Sequence, residues 1–392
     1  MRLTRFRRGG LTALVALGVA LFASANARAD TKRISDGNDR PGPLDIRSAS
    51  HGHDGARVVH TISTFGSWRM GLIGRNTSNL FAVEISTDGD PALERVVIVS
   101  SANGRLVAPV IRLPAGTVVG SASASRPNGR AVRVSIRRSL LGNPSGYRWN
   151  AHSQYRATGA CSRFCIDRAP NSGRVLHDIA APTIALTSFP AIPPDVEYDV
   201  SFTVSDKGGA GLDRWELQHR PLGTPGWTTV ASGSTVGAKT HHHVSAEDND
   251  DQFRVVALDK QGNQVISPLK LVSVPIDNTS ASLVYTGPWV HGAGDPLDFR
   301  DTLSTSMDVC CTSPIVAITF TGRYVAWVAP GATEDEFVSV STEGVPSRPV
   351  FLDQFTGRRN IVFEHTFASV GTRTLTIQAI TGAVPIDGII VR

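Results

Sequence analysis

The chain has 392 residues, 41 % of them apolar, with 37 glycines, 23 prolines and four cysteines. That length has room for two to four domains, and the turn-rich composition suits many short strands better than long helices. The formal charge of +5 would suggest a nucleic-acid partner, but the placement of the charges excludes it.

Arg2, Arg5, Arg7 and Arg8 form a basic start, and Leu11 to Leu21 an apolar run too short to span a bilayer. Ala27-Arg28-Ala29 has the small-x-small form of a signal-peptidase site. Residues 1–29 therefore read as a signal peptide, with cleavage expected before Asp30. Arg7-Arg8 is followed by Gly9-Gly10-Leu11, a poor twin-arginine motif, so ordinary secretion to the extracellular side is expected. This leader holds five of the 39 basic residues and no acid, leaving 34 basic against 34 acidic. The mature chain is formally neutral, so no nucleic acid is expected as a partner. No later stretch reaches transmembrane length.

The remaining charge is unevenly spread. Residues 30–176 carry 20 basic and 10 acidic side chains, and residues 177–392 carry 14 basic and 24 acidic. In the first region every base but Lys32 is arginine, whose planar fork suits branched anions. A basic front facing the chain's own acidic remainder is the alternative source of this asymmetry.

Four cysteines in an exported chain suggest disulfides. Cys161 and Cys165 lie four apart, and Cys310 and Cys311 are adjacent. Three connectivities exist; the two local pairs need no contact between distant domains and are favoured here.

Residues 30–177 form the expected first domain. Phe81, Val83 and Ile85 mark one inward face and Val132, Val134 and Ile136 another, each at period two. Asn103-Gly104 and Asn128-Gly129 are hairpin turns. Regular short strands of this kind predict a sandwich or jelly roll. Gly42-Pro-Leu-Asp-Ile46, His60-Thr-Ile62, Trp68, the run Phe81 to Asp90, Tyr147-Arg-Trp149 and Asp167-Arg-Ala-Pro170 resemble a domain of secreted actinobacterial proteins. That domain is distantly similar to family-nine carbohydrate-binding and DOMON-type sandwiches. The wider group includes sugar, haem and calcium binders, so the resemblance implies the fold without one ligand.

Residues 178–275 form the expected middle domain. Val200, Phe202 and Val204 alternate with polar residues, as do Trp215, Leu217 and His219, and Phe253, Val255 and Ala257. The last run meets turn formers at Asp259 to Asn263. With Trp227 and the open loop Asp206 to Asp213, this resembles bacterial fibronectin type III or Ig-like spacer domains. Residues 276–392 form the expected last domain. Its Trp289, the Phe320-Thr-Gly322 turn and the closing Pro385-Ile-Asp-Gly-Ile-Ile-Val391 resemble galactose-binding-like jelly rolls, whose ligands sit on loops at one end. Where that pattern has Val-Asp-Gly, this chain has Thr342-Glu343-Gly344.

The fold class expected is thus all-β, three consecutive β-sandwich or jelly-roll domains after a cleaved signal peptide. Candidate sugar platforms are the pairs Trp149 with Tyr155 and Trp289 with Tyr324, since a flat ring packs on the apolar face of a pyranose; core packing is the competing reading. Asp88, Asp90 and Glu94 bring three carboxylates to one loop and make it a calcium candidate, against a plain Asp-Gly turn. Asp36, Asn38 and Asp39 offer a second acidic loop. His51, His53 and His60 are read as loop histidines, exposed or hydrogen-bonded, with a metal as the alternative. His241-His242-His243 reads as an edge of the middle domain whose rings alternate faces.

No nucleophile elbow, metalloprotease helix, phosphate loop or dinucleotide fingerprint occurs in the sequence. The acidic run Glu334-Asp335-Glu336 reads as a solvated loop. The expectation is a secreted, non-catalytic binding or adhesion protein for a carbohydrate or cell-envelope polymer, with the middle domain as spacer. The alternatives are a polysaccharide-processing hydrolase with its site in the first domain, and a structural module with a protein partner.

Overall fold

Strand Ala131–Arg137 shows why this chain folds as stacked sheets: Val132, Val134 and Ile136 are fully buried, while Arg133 and Arg137 point to water. β-Branched residues at period two make a strand with one dry face, and such faces pair across the interior. A computed structural model describes residues 32–54, 56–74, 77–156, 161, 163–307, 313–332 and 336–392. The leader, Cys310, Cys311, Glu334 and Asp335 lie outside the described residues. The chain is all-β, with antiparallel sheets stacked as sandwiches and short 3-10 turns as its only helices among the described residues.

Three main cores follow one another. In the first, a sheet ordered Lys32–Ser35, Ile46–His53, Arg57–Thr64, Ala131–Arg137, Ser123–Asn128 faces a larger one. The larger sheet runs Cys165–Ala169, Gly146–Tyr155, Leu80–Ser86, Arg95–Ala102, Pro109–Arg112, Thr117–Ser121. Val58, Ile62 and Val134 from the one meet Phe81, Val83, Ile85 and Trp149 from the other. Asn103 and Gly104 both take positive φ, 51° and 72°, in the tight turn between Arg95–Ala102 and Arg105–Val107.

The middle core lies between a three-stranded sheet (Thr183–Ser188, Glu197–Ser205, Gly237–Val244) and a five-stranded one centred on Leu212–Pro221 and Asn249–Asp259. Val200, Phe202, Leu217, Phe253, Val255 and Ala257 fill it, so the period-two faces all point inward. The last core is covered by a seven-stranded sheet built on the long strands Ile315–Ala329 and Asn360–Thr381, and by a smaller sheet of Trp289–Ala293, Thr302–Ser306 and Pro385–Ile386. Trp327 is at its centre.

The cores are tied to each other. Phe299, from the last segment, is fully buried in the middle core. Ile192 packs on the patch of Ala326, Val328 and Ile390, and Arg392 pairs with Asp250 and bonds Ser273. At the other junction the Gln261 amide donates to Leu176 O at 3.1 Å and its oxygen accepts from Asp178 N at 2.7 Å. A disulfide joins Cys161 and Cys165. No helix among the described residues is long and apolar enough to cross a membrane.

Candidate functional site

Strand Gly146–Tyr155 decides where the site of the first sandwich can be. Its Tyr147, Trp149, Ala151, Ser153 and Tyr155 face inward, and Arg148 faces outward with Asn150 and His152 on the same side of the strand. The platform reading of Trp149 and Tyr155 is therefore corrected. Trp149 is fully buried and Tyr155 is 1 % exposed, so neither offers a ring face to a sugar. The cause is the strand's parity, which places the large apolar residues of this run on the core side.

The outward face carries polar chemistry instead. In register, Asn150 lies opposite Glu84, and His152 opposite Arg168, which puts these four side chains on one sheet surface. His152 Nδ1 lies 3.2 Å from Glu84 Oε1, and Arg168 Nε lies 3.9 Å from Glu84 Oε2. The hydrogen bond from His152, with Arg168 beyond it, holds the Glu84 carboxyl below the usual range against the effect of burial. A shallow groove of about 640 Å³ runs over this surface, lined by Glu84, Arg148, Asn150, Arg168 and Arg174 and by the loop 89–93. Asn150 is nearly buried, and its Oδ1 has no hydrogen-bond partner. Three guanidinium forks, the Asn150 amide and the carboxylates of Glu84 and Asp90 thus line the groove, and no aromatic ring does.

The acidic loop forms the rim of this groove. Asp88, Asp90 and Glu94 come together, each offering an oxygen within 4.8 Å of the others. Each also has an oxygen engaged with the loop: Asp88 Oδ1 accepts from Asp90 N at 3.1 Å, Asp90 Oδ1 from Ala92 N at 2.7 Å, and Glu94 Oε2 from Thr87 N at 2.5 Å. These bonds leave one carboxylate oxygen per residue for a hard cation. Arg174 braces the loop from below, donating to Pro91 O at 2.8 Å.

The second aromatic pair is not brought together on one platform. Trp289 lies in the small sheet of the last core, half-buried, with the Tyr285 ring edge-on at 5.0 Å and its indole N–H on Thr286 O. Tyr324 lies in the large sheet; its hydroxyl donates to Glu364 at 2.8 Å, and the Arg392 guanidinium covers its ring at 4.6 Å. The face of Tyr324 that a pyranose needs is taken by that arginine.

The histidines depart from the loop reading. His51, His53 and His60 lie on the paired strands Ile46–His53 and Arg57–Thr64, all buried, and meet His177. The glycine between His51 and His53 continues the strand instead of ending it. Trp149 Nε1 donates to His51 Nδ1 at 2.7 Å, and His53 Nδ1 lies 3.1 Å from His177 Nε2. Nothing local in Val175-Leu-His-Asp178 marks His177 as the member that completes this group. In the middle core, His243 alone of the His241–His243 run is buried. With His219, Tyr198, Ser245 and Asn249 it surrounds Asp251.

No family model matches the chain, and no curated protein does. Among solved structures it is similar to a marsupial T cell receptor at 9 % identity and TM-score 0.37, covering 92 % of this chain and 94 % of that one. It is also similar to the FN1–FN3 domains of chicken CNTN1, at 12 % identity and TM-score 0.27, covering 92 % and 100 %. A third similarity is to a Ca2+-stabilized adhesin of an Antarctic bacterium, described as binding ice, at 11 % identity and TM-score 0.23, covering 86 % and 69 %. Scores of this size lie below those of chains that share one fold.

Proposed function

We propose that this chain is an extracellular, non-catalytic binding protein that holds an acidic carbohydrate or envelope polymer on the outer sheet face of its first sandwich. The observation that carries this reading is the groove lined by Arg148, Arg168 and Arg174 beside Asn150 and Glu84. Guanidinium forks take uronate or sulfate groups two bonds at a time. Glu84 then serves the hydroxyls between those groups, as an acceptor for sugar O–H donors. A shallow, open groove fits a chain that continues past both ends, not a small molecule that must be enclosed.

Arginine-lined hollows recur elsewhere on the same sandwich. One is bounded by Arg33, Arg47 and Arg130, another by Arg57, Arg137 and Arg138. A long anionic polymer can engage more than one of them, and linked weak contacts multiply in affinity. Residues 178–275 act as the spacer and 276–392 as a second module in this reading. Calcium at Asp88, Asp90 and Glu94 fixes the groove's rim, with Arg174 holding the loop from the other side.

The test is a binding titration of the mature protein against a polyuronate, a sulfated polysaccharide and a neutral glucan at low and high salt. Binding of the charged polymers that weakens with salt, and none of the neutral one, is the expected result. Equal binding of all three, or of the neutral glucan alone, contradicts the reading.

A further inference from the structure

A second acidic group lies inside the first sandwich, away from the groove. Asp36 and Asp39 are on the loop after strand Lys32–Ser35, Asp45 is the residue before strand Ile46–His53, and Asp167 is the inward-facing centre of strand Cys165–Ala169. Oxygens of Asp36, Asp39 and Asp167 lie within 4.8 Å of one another. Asp36 and Asp45 each also come within hydrogen-bonding range of Asp167. Asp45 and Asp167 are each 1 % exposed.

The bonds these groups make leave the centre of the cluster unsatisfied. Asp167 Oδ2 accepts from Ile46 N at 2.5 Å, and Asp45 Oδ1 accepts from Arg40 N at 3.2 Å. Their other oxygens, Asp167 Oδ1 and Asp45 Oδ2, are buried without a partner, and so is Asp36 Oδ2. The Tyr155 hydroxyl, on a residue 1 % exposed, faces the same carboxylates and also lacks a partner. Gly42 lets the loop close over that ring: a Cβ there would stand 2.6 Å from Tyr155 Cε2. Arg40 acts on the group as a cation, against four carboxylates.

Buried carboxylates must be paired with a cation, hydrogen-bonded or protonated, because an isolated buried charge is too costly to keep. Here several oxygens from distant parts of the chain converge, and among the described residues no donor satisfies Asp36 Oδ2, Asp45 Oδ2 or Asp167 Oδ1. We propose that Asp36, Asp39, Asp45 and Asp167 bind a calcium ion, which ties the entry loop of the sandwich to strand Cys165–Ala169. Carboxylate oxygens on a flexible loop suit calcium, which accepts six to eight oxygens in irregular geometry, better than magnesium, which demands an octahedron. The histidine group is not its equivalent, since imidazole favours softer ions. This site is separate from Asp88, Asp90 and Glu94, and it stands or falls without the glycan reading.

The experiment is thermal unfolding of the mature protein in EDTA and in millimolar calcium. Four chains are compared: wild type, Asp88→Asn/Asp90→Asn, Asp36→Asn/Asp45→Asn and Tyr155→Phe. A ligand that binds only the folded state raises the midpoint. Calcium should raise it in the wild type, in Asp88→Asn/Asp90→Asn and in Tyr155→Phe, and Asp36→Asn/Asp45→Asn should lose the part of the shift that Asp88→Asn/Asp90→Asn keeps. Terbium bound in place of calcium should luminesce on tyrosine excitation, with most of that signal lost in Tyr155→Phe. Absence of a calcium shift in the wild type overturns the proposal. So does a shift that survives undiminished in Asp36→Asn/Asp45→Asn. If that variant in EDTA melts above the wild type in EDTA and calcium moves neither, the carboxyls share protons and hold no metal, which also overturns it.

Discussion

The hydroxyl of Tyr147 lies 2.9 Å from Nδ1 of His177, both fully buried in the first sandwich. The same hydroxyl lies 2.8 Å from His60 Nε2. One proton donated by the phenol and one accepted by it satisfy both contacts with the histidines neutral. Burial, and then the neighbouring histidines, push the His60 and His177 imidazoles below their usual range. Tyr147→Phe leaves two buried ring nitrogens without this bridge and should destabilise the protein by about 1–3 kcal/mol, read by urea unfolding. Depressed histidines stay neutral in the fold while the unfolded chain takes up protons near pH 6.5, so stability is present above that pH and is lost as pH falls. The wild type should therefore lose more stability from pH 7 to 5 than a His177→Gln variant does. Equal pH profiles for the two would count against this account.

Asp387 gives the opposite slope. Its Oδ1 accepts from Phe299 N at 2.7 Å, while its buried Oδ2 has no partner. Burial, with Asp298 and Asp277 nearby, pushes its carboxyl up to about 7, from 3.8. Between those values the folded chain keeps a proton that the unfolded chain has lost, so ionisation costs stability as pH rises through the window. Asp387→Asn keeps an oxygen for Phe299 N and removes the charge. Its melting temperature should exceed that of the wild type by more at pH 8 than at pH 5; an equal difference at both would refute the assignment.

Asp251 is a buried carboxylate held by Tyr198 at 2.7 Å, Ser245 at 2.6 Å, His219 at 2.7 Å and Asn249 at 2.7 Å. Burial alone would raise its carboxyl, but the bonds from His219, His243, Ser245 and Tyr198 hold it well below the carboxylate range. Its stabilisation is present above the ordinary carboxylate range and is lost only in strong acid. Asp251→Ala strands several donors and should cost about 3–5 kcal/mol, whereas Tyr198→Phe should cost only about 1 kcal/mol. Chemical denaturation of both variants checks the ratio.

The Cys161–Cys165 bond closes a short loop. By loop-closure entropy, Cys161→Ser with Cys165→Ser should cost roughly 2 kcal/mol. Reduction of the wild type should lower its melting temperature by a similar increment, and groove binding should persist.

Much of the fold was legible because its strands are half-buried. Phe253, Val255 and Ala257 or Val132, Val134 and Ile136 at period two allow one reading, and the structure buries each of these residues. The same rule, applied to Tyr147, Trp149, Ala151, Ser153 and Tyr155, marks a core face; ring chemistry pointed to sugar platforms, and parity overrides it. Asp88, Asp90 and Glu94 were legible because one loop carries all three. The cluster of Asp36, Asp45 and Asp167 was legible only in part, as the loop of Asp36 and Asp39. Asp45 precedes strand Ile46–His53 and Asp167 lies in strand Cys165–Ala169, and only strand packing brings them together. His177 joins His51, His53 and His60 for the same reason.

The central claim is that the arginine-lined groove binds an anionic polymer, and one comparison tests it most directly. Calorimetric titration of a polyuronate or sulfated oligosaccharide is performed on the wild type and on Arg148→Ala/Arg168→Ala, with melting curves confirming that both are folded. Loss of two charge-assisted contacts, at about 1.5–3 kcal/mol each, should weaken binding by more than about a hundredfold and flatten its salt dependence. Unchanged affinity in the double variant, or no binding by the wild type, would contradict the claim.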